Sequence, residues 1–256
     1  MLEITPIKAF NDNYLWLFKE AGSDHACIVD PGDAKPVLAH LEQARLKLSA
    51  ILLTHHHQDH IGGVRELLEH FDVPVFGPNS PNIPFVTVAV HEGSEVEFCG
   101  TAFRVMEIPG HTLDHIAYYA ESALHGKPVL FCGDTLFAAG CGRIFEGTPA
   151  MMYESLQKLA SLQPDTQVFC AHEYTLGNLK FAAAVSPDDE TLQNRIKQET
   201  EKRKHDIPTL PTSIELELKT NPFLRCSEQS IQSRITNQEK TPVEIFAALR
   251  QWKDGF

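Results

Sequence analysis

Along the first two-thirds of the chain, apolar residues gather in short runs bounded by glycine, proline and acidic residues, the pattern of strands separated by turns. Strands are predicted over Leu2–Pro6, Tyr14–Phe18, Ala26–Asp30, Ala50–Thr54, Val73–Phe76, Glu95–Phe98, Ala102–Ile108, Ile116–Ala120, Val129–Cys132 and Gln167–Cys170. Helical spacing predicts helices over Ala34–Ala44, Gly62–Phe71 and Ala150–Leu162; in the second of these Val64, Leu67, Leu68 and Phe71 recur on one face. Many short strands with few helices predict two packed sheets with helices outside, not one doubly wound sheet.

After about Tyr174 the pattern changes. Residues 177–205 are helical in character and end in the charged stretch Gln198–His205. Ser186-Pro187-Asp188-Asp189-Glu190 predicts a helix start with Ser186 as N-cap and proline at the first position. Thr241-Pro242-Val243-Glu244 is a capping box ahead of Ile245, Phe246 and Leu249. Ile207-Pro208-Thr209-Leu210-Pro211 reads as a rigid linker between them. The expected organisation is one domain over residues 1–174 and a small all-helical domain over 175–256. The sequence has no internal repeat and no low-complexity segment.

At 256 residues, 43% hydrophobic and 22% charged, the chain has material for a sizeable core. The formal net charge of −12 disfavours nucleic acid and anionic membranes as partners. The six cysteines are scattered without a CxxC, so they read as small buried hydrophobes, not as a disulfide framework or a metal site. No apolar run approaches the ~18 residues of a membrane helix, and Met1–Pro6 has no leader-like pattern, so a cytoplasmic location is the default expectation.

The candidate chemistry is concentrated in Thr54-His55-His56-His57-Gln58-Asp59-His60-Ile61-Gly62-Gly63, which joins a predicted strand to a predicted helix. Such a density of imidazole and carboxylate points to metal. In an extended segment alternate residues point the same way, so His55 and His57 can converge while His56 points elsewhere. Asp59 and His60 follow after the chain has turned. Three further predicted strands each run into one potential ligand beside a glycine or alanine: Gly110-His111, Gly133-Asp134 and Ala171-His172. A lone histidine at a strand end is more often structural; beside the 55–60 cluster the balance shifts to ligation. The sum, five histidines and two aspartates, exceeds one tetrahedral ion and suits two, with Asp134 as the natural bridge. His56, His115 and Asp114 read as supporting groups. His25, His40, His70, His91, His125 and His205 read as solvated or capping.

HxHxDH followed by single His, Asp and His ligands resembles the metallo-β-lactamase superfamily, whose fold is an αββα sandwich. The segment Phe131-Cys132-Gly133-Asp134-Thr135-Leu136-Phe137-Ala138-Ala139-Gly140-Cys141-Gly142-Arg143-Ile144-Phe145-Glu146-Gly147-Thr148 is similar to the long signature of glyoxalase II, the hydroxyacylglutathione hydrolases. Asn11-Asp12-Asn13-Tyr14, His172-Glu173-Tyr174-Thr175 and Asn221-Pro222-Phe223-Leu224-Arg225 match as well, so the resemblance spans essentially the whole chain.

The resemblance implies an α/β fold, an αββα sandwich followed by a small all-helical C-terminal domain that binds glutathione. It implies two divalent ions per chain, zinc first with iron or manganese as alternatives. One would be held by His55, His57 and His111 and the other by Asp59, His60 and His172, with Asp134 shared. The implied reaction is hydrolysis of S-D-lactoylglutathione to D-lactate and glutathione by a hydroxide between the ions, a step of methylglyoxal detoxification. Asp59 and Asp134 are then the catalytic carboxylates, and a thiolate leaving group demands no general acid. Implied substrate-binding residues are Arg143, Phe145, Tyr174, Arg250 and Lys253. Some members carry lysine in place of Arg143 and tyrosine in place of Phe145, differences that bear on substrate affinity and not on the chemistry. The expected partner is the small-molecule thioester alone, with no nucleic acid, no membrane and a monomeric chain.

Rival readings make different demands. A persulfide dioxygenase of the same superfamily uses a single iron and does not need the second set of ligands. A β-lactamase or lactonase needs no glutathione-binding tail. A metal-buffering protein would bind ions without thioester turnover, and a nuclease is disfavoured by the net charge.

Overall fold

The computed structural model describes residues 1–236 and 238–256. They fall into two compact units, the first of residues 1–107 and 114–133 and the second of 108–113 and 134–256. In chain order the first unit contains β1 (Leu2–Ala9), β2 (Asn13–Glu20), β3 (His25–Val29), α1 (Ala34–Ala44), β4 (Lys47–Leu52), α2 (Gln58–Ile61), α3 (Val64–His70), β5 (Val75–Pro78), β6 (Val88–Val90), β7 (Glu95–Phe98), β8 (Thr101–Glu107), β9 (Ile116–Leu124) and β10 (Lys127–Gly133).

Strands β1 to β6 form one sheet in sequence order, antiparallel across β1, β2 and β3 and parallel from β3 to β6. Strands β7 to β10 form an antiparallel meander. The period-two alternation of β2 explains the layering. Leu15 and Leu17 enter a core shared with Ala34, Val37 and Leu41 of α1 and Val64 and Leu67 of α3. Phe18, of opposite parity to that pair, faces the meander, where its ring stacks 5.4 Å from Phe131 and lies 5.6 Å from Phe103. The buried Tyr118 of β9 donates its hydroxyl to the Leu53 carbonyl, which ties the two sheets by a polar bond as well.

The helices follow local signals. Asp33 caps α1, accepting from the Lys35 backbone N–H, and Arg45 closes it in the left-handed conformation. The helix expected over Gly62–Phe71 forms as α3, Val64–His70, and a separate single turn, α2, precedes it and carries Asp59 and His60. The two are divided at Gly62-Gly63, where the Gly63 N–H bonds the Pro31 carbonyl and a Cβ would sit 2.4 Å from the Ala34 nitrogen. Glycine there lets the two chain segments touch. β6 was not expected from the sequence; at Val88–Val90 it is too short to show a period.

The second unit contains β11 (Leu136–Phe137), β12 (Gly140–Cys141), α4 (Pro149–Ala160), β13 (Gln167–Cys170), α5 (Thr175–Val185), α6 (Glu190–Lys204), β14 (Thr212–Ser213), α7 (Ile214–Thr220), α8 (Gln229–Ile235) and α9 (Pro242–Asp254). The tail is helical apart from β14, which pairs antiparallel with β13 in the register Gln167↔Ser213. The expected N-cap at Ser186 is displaced: Asp189 caps α6, accepting from the Leu192 N–H. The capping box at Thr241 and Glu244 forms as expected.

A buried polar network occupies the middle of this unit. Glu217 accepts from the Arg195 guanidinium at 2.6 Å, from the Ala139 N–H at 2.7 Å and from Asn221 Nδ2 at 2.9 Å. Asn221 also donates to the Gly140 carbonyl, and Asn178 to the Ala138 carbonyl. The hairpin just downstream of Asp134 is thereby fixed by the tail helices. That is the physical content of the Asn221-Pro222-Phe223 match. No helix among the described residues is long and apolar enough to cross a membrane.

Candidate active site

In the first unit the site grows from the ends of two parallel strands. Asp30 follows β3 with φ of +48° and takes the Leu52 carbonyl through its own N–H. Its carboxylate accepts from the Thr54 N–H at 2.7 Å and from the Thr54 hydroxyl at 2.7 Å, and faces His60 Nδ1 at 2.9 Å. Thr54 therefore leaves the β-ladder one residue past Leu53. Because its hydroxyl proton goes to Asp30, its oxygen accepts from His55 Nδ1 at 3.0 Å. His55 and His60 are both buried, and both have Nδ1 tied back by hydrogen bonds. In a neutral ring that fixes the tautomer and makes Nε2 the electron-pair donor.

Those Nε2 atoms point toward ligand-type neighbours. His55 Nε2 lies 3.1 Å from His57 Nδ1, and His60 Nε2 lies 3.5 Å from the Asp59 carboxylate. Asn13, from β2, donates to that same Asp59 carboxylate at 3.1 Å. His56 turns the other way, its Nδ1 2.9 Å from Asp114, as alternation along an extended segment requires. His115 stacks on His55 with ring centroids 4.5 Å apart. Gly133, at φ +47°, passes so close that a Cβ would sit 2.4 Å from the Thr54 hydroxyl.

In the second unit the carboxylate of Asp134 stands between two imidazoles. Its Oδ2 is 3.5 Å from His111 Nε2 and its Oδ1 3.3 Å from His172 Nε2. The His111 ring is set by a 2.7 Å hydrogen bond from Nδ1 to the Arg143 carbonyl. Two glycines permit this packing: a Cβ on Gly142 would lie 2.0 Å from the Asp134 carbonyl oxygen, and one on Gly110 would lie 2.7 Å from Met152 Cα.

Aromatic rings flank this pair, and the same unit carries the candidate cations. Tyr174 stacks on His172 at 4.6 Å and 3°, and Phe137 meets both rings edge-on. Phe145 stands edge-on to His111 at 5.2 Å and is 63% exposed. Arg143 is exposed, with Nε 3.8 Å from the Asp254 carboxylate. Arg250 is buried, unlike a solvated helix end. It donates to Asp254 at 2.9 Å and to the Cys141 carbonyl at 3.0 Å, and lies over the Phe223 ring. Lys253 sits half-buried over the Phe181 ring, and burial followed by repulsion from Arg250 holds its ammonium below the usual lysine range.

The donor set fits divalent cations. Neutral imidazoles with their far nitrogens tied to carboxylate, hydroxyl or carbonyl are arranged as metal-binding histidines are. A carboxylate that turns one oxygen to each of two histidines suits a shared ligand. Asp30 also lies among ligand-type atoms, within 4.8 Å of those of His55 and His60, but its oxygens are engaged by Thr54 and His60, so its role is to orient. Sequence reading passed over Asp30 and Thr54. The signal was present, since Asp30 ends an apolar run and precedes Pro31-Gly32, the same strand-then-ligand pattern as at His111 and Asp134.

A family model for the metallo-β-lactamase superfamily matches residues 12–172, and one for the hydroxyacylglutathione hydrolase C-terminus matches residues 173–256. The chain is similar to the crystal structure of ETHE1 from Myxococcus xanthus (TM-score 0.66, 24% identity, 99% of this chain and 98% of that one). It is also similar to that of TTHA1623 in a di-iron-bound form (TM-score 0.62, 26% identity, 86% and 100%). The family models, together with the fold, define a hydrolase with the metallo-β-lactamase fold and a helical C-terminal domain. Relatives named hydroxyacylglutathione hydrolase are 52% identical in Pseudomonas aeruginosa strain LESB58 and 51% identical in Vibrio parahaemolyticus, each alignment covering 100% of both chains. The chain belongs to the hydroxyacylglutathione hydrolase family.

Proposed function

We propose that this protein hydrolyses S-2-hydroxyacylglutathione thioesters, S-D-lactoylglutathione foremost, to the free hydroxy acid and glutathione, and so completes methylglyoxal detoxification in the cytoplasm. The observation that carries the reading is Asp134, one oxygen toward His111 and the other toward His172, in a chain whose full-length relatives bear this enzyme's name. His55, His57 and His111 would hold one divalent ion, and Asp59, His60 and His172 the other, with Asp134 shared. Zinc is the first choice, and iron or manganese accept the same donors. When bound, such a pair supplies Lewis acidity and lowers the pKa of water held against it.

The remaining work falls to the chain. Hydrolysis forms a C–O bond from water to the acyl carbon and breaks the C–S bond. Sulfur leaves as a thiolate, so no side chain need protonate it. Asp59, with its carboxylate fixed by Asn13, would orient the attacking water. Residues 1–174 would carry the chemistry and residues 175–256 the glutathione site. Tyr174 and Phe145 offer ring faces and edges to the peptide, and Arg143, Arg250 and Lys253 offer cations to its carboxylates. Asp254 already accepts from Arg250 and lies near Arg143, so the glycyl carboxylate would take its place. The reading also takes the small-molecule thioester as the partner and the monomer as the working form.

The experiment is a thiol-release assay on S-D-lactoylglutathione with the D-lactate measured in parallel. One thiol per D-lactate is expected. Oxygen consumption with glutathione persulfide and no thioester turnover would overturn the proposal in favour of a dioxygenase.

A further inference from the structure

The hairpin joining β7 to β8 turns on two residues, Cys99 at φ +51° and Gly100 at φ +68°. Two consecutive left-handed residues make the tight turn for which asparagine-glycine is the favoured pair. Cysteine there is costly, and a non-glycine residue held in this conformation raises the question of function. Cys99 Sγ lies 3.6 Å from Cys27 Sγ, 72 residues away on β3, and 3.8 Å from the Phe18 carbonyl. Cys27 is buried and Cys99 partly exposed. Both line a cavity of about 250 Å³ whose wall also includes Glu20, His25 and Glu97.

We propose that Cys27 and Cys99 form a reversible dithiol–disulfide pair, oxidised by a small neutral hydroperoxide that reaches Cys99 through this cavity. The carboxylates of Glu20 and Glu97 disfavour an anionic oxidant such as glutathione disulfide. The hydrogen bond between the thiols divides their roles. It holds Cys99 below the ordinary thiol range, while the same bond, with burial, pushes Cys27 well above it. Because Cys99 is partly exposed at the hairpin tip and Cys27 is buried behind it, Cys99 is the nucleophile and Cys27 the resolving thiol.

In the first step the Cys99 thiolate attacks one peroxide oxygen, the O–O bond breaks and hydroxide leaves, giving a sulfenic acid. In the second, Cys27 sulfur attacks Cys99 sulfur. The S–S bond forms, the S–O bond breaks, and the hydroxyl departs as water with the Cys27 proton. Two electrons pass from the two sulfurs to the peroxide. The sulfurs must close from 3.6 Å to about 2.05 Å, a movement the tip of a hairpin can make. The product ties the β7–β8 hairpin to β3.

The test exposes the full-length protein to stepped hydrogen peroxide, alkylates it under denaturing conditions, and maps the peptides. The expected result is loss of two of the six alkylatable thiols, a Cys27–Cys99 cross-linked peptide, and recovery of all six with dithiothreitol. Cys27→Ser should accumulate a dimedone-reactive sulfenic acid at Cys99, and Cys99→Ser should keep its five thiols at the same peroxide dose. Scattered oxidation without that cross-link, or six thiols alkylating throughout, overturns the proposal. The wild-type peptide map decides the matter if either variant fails to fold. None of these readouts depends on hydrolytic activity.

Discussion

Asp30 shows why a ligand list understates the site. Its carboxylate engages Thr54 and His60, and through Thr54 it fixes His55. Removing it leaves every proposed ligand in the chain but frees two rings to rotate or change tautomer. Asp30→Ala should therefore weaken metal binding by about 10–100-fold with the fold intact. Chelator competition followed by circular dichroism checks this, and unchanged affinity would refute the orienting role. In the proposed glutathione site, Asp254, which accepts from Arg250 and lies near Arg143, would compete with the substrate carboxylate. Asp254→Asn should lower KM for the glutathione thioester, and Arg250→Ala should raise it roughly tenfold, the worth of one charge-assisted bond, both with unchanged metal content. A KM that moves in neither variant removes the assignment. At this scale the candidate ligands at 55–60 are legible in the sequence because they are contiguous. The sequence hid Asp30 because the partner Thr54 is 24 residues away, and it hid the inward turn of Arg250 because helical spacing gives a face, not what covers it.

Elements with strong local signals were readable and those defined by distant partners were not. Ala34–Ala44, Glu95–Phe98 and Gln167–Cys170 match their predicted bounds, and the Thr241 box starts α9 where expected. β14 exists only because β13 offers an edge to pair with, which no window around Thr212 contains. The start of α6 shows the same competition. Ser186-Pro187 is a good local start, yet Asp189 wins because it also pairs with Arg225 at 2.8 Å. Burial pushes the Asp189 carboxyl up, but hydrogen bonds from the Leu192 and Thr191 backbone and from Arg225 outweigh it and leave the group below its ordinary value. A carboxyl lowered by folding contributes stability above its unfolded pKa and loses it as pH falls through the folded one. Asp189→Ala should cost about 1–2 kcal/mol at neutral pH. That difference should shrink below about pH 4 in urea midpoints measured across pH. A pH-independent difference would mean the cap works without its charge.

Across the whole molecule, the fold class read from the sequence agrees with the families that the chain matches. The two family models divide the chain at 172/173, and the relatives align over its full length. The sandwich was readable because strand periodicity and strand number are local properties summed over the chain. Within the first unit the two-sheet core rests on aromatic contacts such as Phe18 with Phe131, residues 113 positions apart that no window joins. The central claim is that His55, His57, Asp59, His60, His111, Asp134 and His172 hold two divalent cations and that thioester hydrolysis needs both. Its most direct test is to strip the protein with a chelator and restore zinc in fractional equivalents while following thiol release from S-D-lactoylglutathione. The account predicts activity that stays low through the first equivalent and reaches its plateau at the second. Full activity at one equivalent or fewer would contradict it.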